Sequence, residues 1–196
     1  ANKIWNAGRF LLMNKAELIG SGDVDLTSLP ESDLDLADRW ILSRLHHSII
    51  NLNTALTEFH FNEASKVLYD FIWHDFCDWY VELVKTRFYG EEPSETKKVV
   101  LTRALWIFDQ ALRLLHPVMP FVTEELWQHL TERGGLSLIR SALPAPESRW
   151  IDQTTEDEMA FVQDIINALR NIRGENNIAP SKEIRIQVRL AEGTSS

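Results

Sequence analysis

Asn6 and Arg9 lie three residues apart in a segment of helical period, so one face carries an amide and a guanidinium. Both groups form directed hydrogen bonds suited to reading the edge of a nucleic-acid base. A second line runs Trp40, Arg44, His47 and Asn51, with Arg39 beside it. A base can stack on the indole while a guanidinium holds a phosphate or a base edge, the usual way unpaired RNA is read. The competing reading is an exposed tryptophan on a solvated face, because lone surface aromatics are ordinary.

His74, Cys77 and Asp78 stand at i, i+3 and i+4, spacings that bring metal-ligating groups together on a helix. A fourth ligand is needed, and no second Cys/His cluster supplies it. The expectation is no metal, with Cys77 a small core residue and His74 and Asp78 at the solvent edge. Arg170 and Arg173 fall in the last turn of a helix, where they suit the carbonyl end of its dipole. With Lys182, Arg185 and Arg189 they form the most basic region of the chain, which leaves RNA-backbone contact as the alternative. Glycine-rich phosphate loops, dinucleotide glycine patterns, His-Glu-x-x-His and Gly-x-Ser-x-Gly are absent.

These residues need helices to position them. Asn2 to Leu18 places Ile4, Ala7, Phe10 and Leu11 on one side. Asp35 can cap a second helix whose Ile41, Leu45, Ile49, Leu52 and Leu56 form its buried stripe. A third runs from about Asn62 to Tyr89, with one narrow polar line (Glu63, Lys66, Asp70, His74, Asp78, Glu82, Lys85) on an otherwise apolar surface. Such a helix must be covered on several sides, so its Trp73, Trp79 and Tyr80 read as core. Ser94 can cap a fourth, ended by His116-Pro117, and Pro120 suits the first turn of a fifth carrying Phe121, Leu126, Trp127 and Leu130.

After Gly134-Gly135 the character changes. Thr155 and Glu158 read as a capping box for a sixth helix, with Val162, Ile165, Leu169 and Ile172 inward. Lys182 to Leu190 alternates as a strand does, and Ser137 to Ser141 is the other plausible strand to pair with it. The expected division is a bundle over 1–135 and an appendage over 136–196.

The net charge of −9 argues against coating nucleic acid by charge alone. Much of the acid lies between Gly20 and Leu36, in Asp23, Asp25, Glu31, Asp33 and Asp35, which reads as a solvated loop. One cysteine excludes an internal disulfide framework and suits the cytoplasm. No apolar run approaches the roughly 20 residues that span a bilayer.

NKIWNAGRF (2–10), ADRWILSRL (37–45), FNEASKVLYDFIWHDFCDWYVELVK (61–85), LHPVMPFVTEELW (115–127) and IRGENNIAPSK (172–182) occur in this order. Together they resemble class I aminoacyl-tRNA synthetases of the valine, isoleucine and leucine group, and the valyl enzymes most. The resemblance implies a mainly α fold: an antiparallel helix bundle of the anticodon-binding type, with a small, truncated α/β appendage. It implies tRNA as partner, bound through its anticodon loop. The family's NAxRF block falls on Arg9, and its DR-aromatic block on Arg39 and Trp40, the positions already marked by helical face. The HIGH and KMSKS signatures are missing. The chain is therefore expected to lack the catalytic and editing domains and to be inactive alone, with ATP and magnesium used elsewhere in the full enzyme. An isoleucyl or leucyl module, or a helical protein-interaction scaffold, are the alternatives.

Overall fold

In the computed structural model, which describes residues 1–179 and 181–187, the chain falls into two compact units, Ala1–Asp157 and Glu158–Ser196. The first holds α1 (Asn2–Leu18), α2 (Leu36–Thr57), α3 (Phe61–Tyr69), a π-helical segment (Asp70–Tyr80), α4 (Val81–Tyr89), α5 (Ser94–Leu115) and α6 (Pro120–Leu130). Helix α7 (Gln153–Glu175) starts in the first unit and supplies residues 158–175 of the second. A mainly α bundle is what the apolar stripes demand.

α2 begins as its sequence dictates. The Asp35 carboxylate accepts the Asp38 N–H at 2.8 Å, and Asp38 accepts in return from the Asp35 N–H, a capping box that satisfies two orphan donors. Pro120 opens α6 at a position where its missing N–H costs nothing. Ser94 opens α5 without a side-chain cap. α7 starts two residues earlier than Thr155, because Asp152 accepts from both the N–H and the hydroxyl of Thr155.

The third helix is not α throughout. From Asp70 to Tyr80 it widens into a π turn, and the joints to α3 and α4 keep right-handed helical dihedrals, so the rod is continuous. This rod packs on α1, α2 and α5, and Phe71, Ile72, Phe76 and Tyr80 are buried in it. Phe76 stacks on Phe108 of α5 with centroids 5.4 Å apart. Trp73 and Trp79 are half-buried at its flank, not core. Asp75, which lies off the polar line, faces α2 and pairs with Arg44.

Two buried carboxylates tie the bundle together. Asp38 accepts from Tyr80 Oη at 2.8 Å, from Arg87 at 3.0 Å and from Arg103, whose guanidinium also donates to the carbonyls of Pro30 and Ser32. Asp109 accepts from Trp127 Nε1 at 2.7 Å, Arg113 Nε at 2.6 Å and Arg133 at 2.7 Å. Each charge is thereby compensated inside the core, where an unpaired one would be very costly.

Residues 136–157 belong with the first unit, whereas the sequence places the boundary after Gly135. Leu138–Arg140 is a 3-10 turn seated on α6, not a strand: Glu124 accepts from the Ser137 hydroxyl and the Leu138 N–H. No strand occurs among the described residues. Residues 183–187 form no regular element, and 188–190 of the expected strand lie outside the described residues. The expected inward stripe of the second unit is half-buried at Val162, Ile165 and Leu169, and Ile172 is exposed.

Candidate nucleic-acid interface

α1 turns Ile4, Ala7, Gly8 and Leu11 inward against α5 and α6. Gly8 is there because a Cβ would come within 2.7 Å of a Leu126 methyl and 3.1 Å of the Phe108 ring. That close approach fixes the helix's rotation and leaves Trp5, Asn6, Arg9 and Met13 on its outer face. Trp5 keeps 43% of its surface exposed. Arg9 has no hydrogen-bond or ion-pair partner among the described residues, in a chain where most arginines are engaged.

A groove of about 390 Å³ runs beside it, with Trp5, Arg9, Leu12 and Met13 on one wall and Leu126 and His129 of α6 on the other. Its surface is almost wholly apolar apart from the guanidinium and the imidazole. An indole face, an uncommitted guanidinium four residues on and an amide between them can stack a base and read its edge. Asn6 and Arg9 therefore sit where the sequence put them, and Trp5 joins them. The signal for Trp5 was its i, i+4 relation to Arg9 on the same outer face.

Trp40 is a correction. It is 3% exposed and offers no open face for stacking. Residues 147–156 return along α2 and engage Arg44 and His47 of its outer line, whereas Asn51 stays exposed. The Glu147 N–H donates to His46 Nδ1 at 3.0 Å, and the Asp152 N–H donates to Ser43 Oγ at 3.0 Å. Glu156 accepts from Ser43 at 2.5 Å and Arg44 at 3.1 Å, and lies 2.8 Å from His47 Nδ1. Arg44 spends its remaining reach on Asp75 at 2.8 Å. At Arg44 and His47 the polar line faces a carboxylate of the same chain. Arg39 is exposed, and its charge lies near the Asp152 carboxylate.

The electrostatics of this clasp follow from burial and partners. Burial alone would raise Glu156, but hydrogen bonds from Ser43, Arg44 and His47 outweigh it and hold the carboxyl below its ordinary value. For Asp75 burial wins over Arg44 and the carboxyl is raised. Burial pushes His46 below the usual imidazole value, with Glu147 opposing and Arg149 assisting.

In the second unit the Arg173 fork donates to the carbonyls of Ala179 at 2.8 Å and Lys182 at 2.9 Å, folding the segment after α7 back on itself. Lys182 is exposed, and Arg170 is exposed but not without a partner. Burial pushes the Cys77 thiol up to about 12, and no group of three His, Cys, Asp or Glu side chains is placed to hold a metal ion among the described residues. The acidic loop is tied down: Asp23 accepts from Thr131 and the Glu132 N–H, Asp25 from Thr27, Glu31 from Arg149 and Asp35 from Arg87. No helix of the described residues is long and apolar enough to cross a membrane.

Comparison with known proteins identifies the family. Residues 38–188 match the family model described as the anticodon-binding domain of tRNA ligase. The valine--tRNA ligase of Bacillus cereus is 42% identical over 191 residues, 97% of this chain and 21% of that protein. The valine--tRNA ligase of Syntrophotalea carbinolica is 46% identical over 186 residues, 93% of this chain and 20% of its own length. That of Lactobacillus acidophilus is 41% identical over 190 residues, 96% of this chain and 21% of its own. The chain spans about a fifth of the length of these relatives. With its helical architecture and its match over most of its length, the chain belongs to the family of anticodon-binding domains of tRNA ligases.

Proposed function

We propose that this chain is the anticodon-recognition module of a valine–tRNA ligase, and that α1 presents Trp5, Asn6 and Arg9 to an unpaired base of the anticodon loop. The observation that carries the reading is Arg9: an arginine without an ion pair among the described residues, beside an exposed indole, on a protein of net charge −9. The relatives at 41–46% identity supply the choice of valine over isoleucine or leucine. A module of this kind uses binding energy far from the reacting bond to set the acceptor end of the tRNA in place. Cations and aromatics gathered on one face achieve this despite the overall acidity.

Arg39 is a second RNA contact in this reading, and Lys182 and Arg170 are backbone contacts. Arg44 and Arg173 act through structure instead, since their guanidinium groups hold neighbouring chain. ATP and magnesium belong to the catalytic part of the longer polypeptide. The single buried thiol suits a reducing compartment, which points to the cytoplasm.

The test is a gel shift with valine tRNA, isoleucine tRNA and a valine tRNA of altered anticodon. Preference for the unaltered valine tRNA is expected. Equal retention of all three would remove anticodon recognition from the account.

A further inference from the structure

The turn from α2 to α3 closes with a paired cap in which the His60 N–H donates to the Ala55 carbonyl at 2.7 Å and the Phe59 N–H to Leu56 at 3.2 Å. This motif places its penultimate residue in the left-handed region, where glycine is the usual occupant. Here that residue is Phe59, at φ +58°. A bulky side chain in that conformation is strained. Packing offers little return, because Phe59 is 76% exposed and its ring meets edge-on the ring of Phe61, itself 63% exposed, at 6.3 Å. The fold therefore holds two phenyl rings in water on a backbone that would be easier without one of them.

The charge around the pair is acidic. Glu58 and Glu63 bracket His60, with carboxylate oxygens 3.3 Å and 3.5 Å from its Nδ1, and both carboxylates are more than half exposed. Lys66 follows Glu63 by three residues on α3 and is exposed.

We propose that the Phe59–Phe61 pair is a docking knob for a basic segment of a partner protein, with arginine side chains on the phenyl faces and Glu58 and Glu63 as their carboxylate partners. Charge complementarity selects this occupant. A guanidinium gains from the ring face and from the carboxylate together. A nucleic acid that stacked a base here would bring its phosphates against both carboxylates. The surface is distinct from the α1 groove, and its use does not depend on the RNA reading.

The probe is a synthetic nonapeptide of alternating arginine and leucine, added to the 196-residue chain and followed by the ring resonances of Phe59 and Phe61. The peptide is expected to shift both rings, and Phe59→Gly to weaken its binding roughly tenfold, the loss typical of an aromatic anchor. The same variant is expected to raise Tm by about 2–4 °C, the response of a domain this size to relief of one strained residue. The Glu58→Gln, Glu63→Gln double variant is expected to lose the salt dependence of binding. Equal affinity of Phe59→Gly and the parent would overturn the proposal, as would a fall in Tm for that variant. A response of the two rings to single-stranded oligouridine but not to the peptide would likewise overturn it, in favour of RNA.

Discussion

Arg44 donates from Nε to the Asp75 carboxylate at 2.8 Å, joining α2 to the π-helical segment. Its Nη1 holds Glu156 at 3.1 Å, so one guanidinium ties three parts of the first unit together. It is a structural cation in a position that the sequence alone marks for RNA.

Arg44→Ala leaves Asp75 and Glu156 half-buried without their cation. Partial exposure of the three groups reduces the cost below that of a fully buried pair, to about 2 kcal/mol. Urea unfolding is expected to lose that amount, while the anticodon loop is bound as before wherever the variant remains folded.

His46 gives the clasp a pH dependence. Its folded value lies below the unfolded one of about 6.5, so below that pH the unfolded chain binds a proton that the folded chain resists. Its contribution is complete above about pH 6.5 and declines as the pH falls through the folded value. The urea midpoint is expected to drop between pH 7 and 5, and His46→Asn, which keeps an acceptor for the Glu147 N–H, is expected to flatten that drop.

Asp109→Ala strands the guanidinium of Arg133 and the indole N–H of Trp127 inside the core. A loss of about 3–5 kcal/mol is expected, enough to unfold a marginal domain, and circular dichroism melting measures it.

Gly8→Val drives a branched side chain into Leu126 and Phe108. Overpacking of this kind costs about 1–3 kcal/mol and shifts α1 outward. A lowered Tm and weakened anticodon binding are expected together, because α1 carries both the packing and the proposed contacts.

Much of the bundle was legible in the sequence because its signals are local. Asp35 and Asp38, Pro120 and the i, i+3, i+4 stripes each act within a turn or two of chain. The errors share a different cause. Trp40 is buried, and no helical periodicity in α2 distinguishes a polar position facing water from one facing Glu156, about a hundred residues downstream, as Arg44 and His47 do. The π turn shifts the register of Asp70–Tyr80, so Trp73 and Trp79 reach the flank and Asp75 turns toward α2. Leu138–Ile139 has the composition of a short strand, but Glu124 captures the Leu138 N–H and leaves no ladder to form. The exposure of Trp5 follows from the rotation that Gly8 imposes on α1, a packing constraint that aromatic bulk alone does not reveal.

In the proposed function α1 reads the anticodon loop through Trp5 and Arg9. The direct measurement is the affinity of a valine-tRNA anticodon stem–loop for the 196-residue chain and for Trp5→Ala, Arg9→Ala and Lys98→Ala. Stacking and a base-edge guanidinium are each worth about 1–3 kcal/mol, so roughly tenfold losses are expected for the first two variants. Lys98, paired with Glu95 on α5, serves as the control and is expected to leave affinity unchanged. Parent-like binding by Trp5→Ala and Arg9→Ala, with both variants folded, would contradict the account.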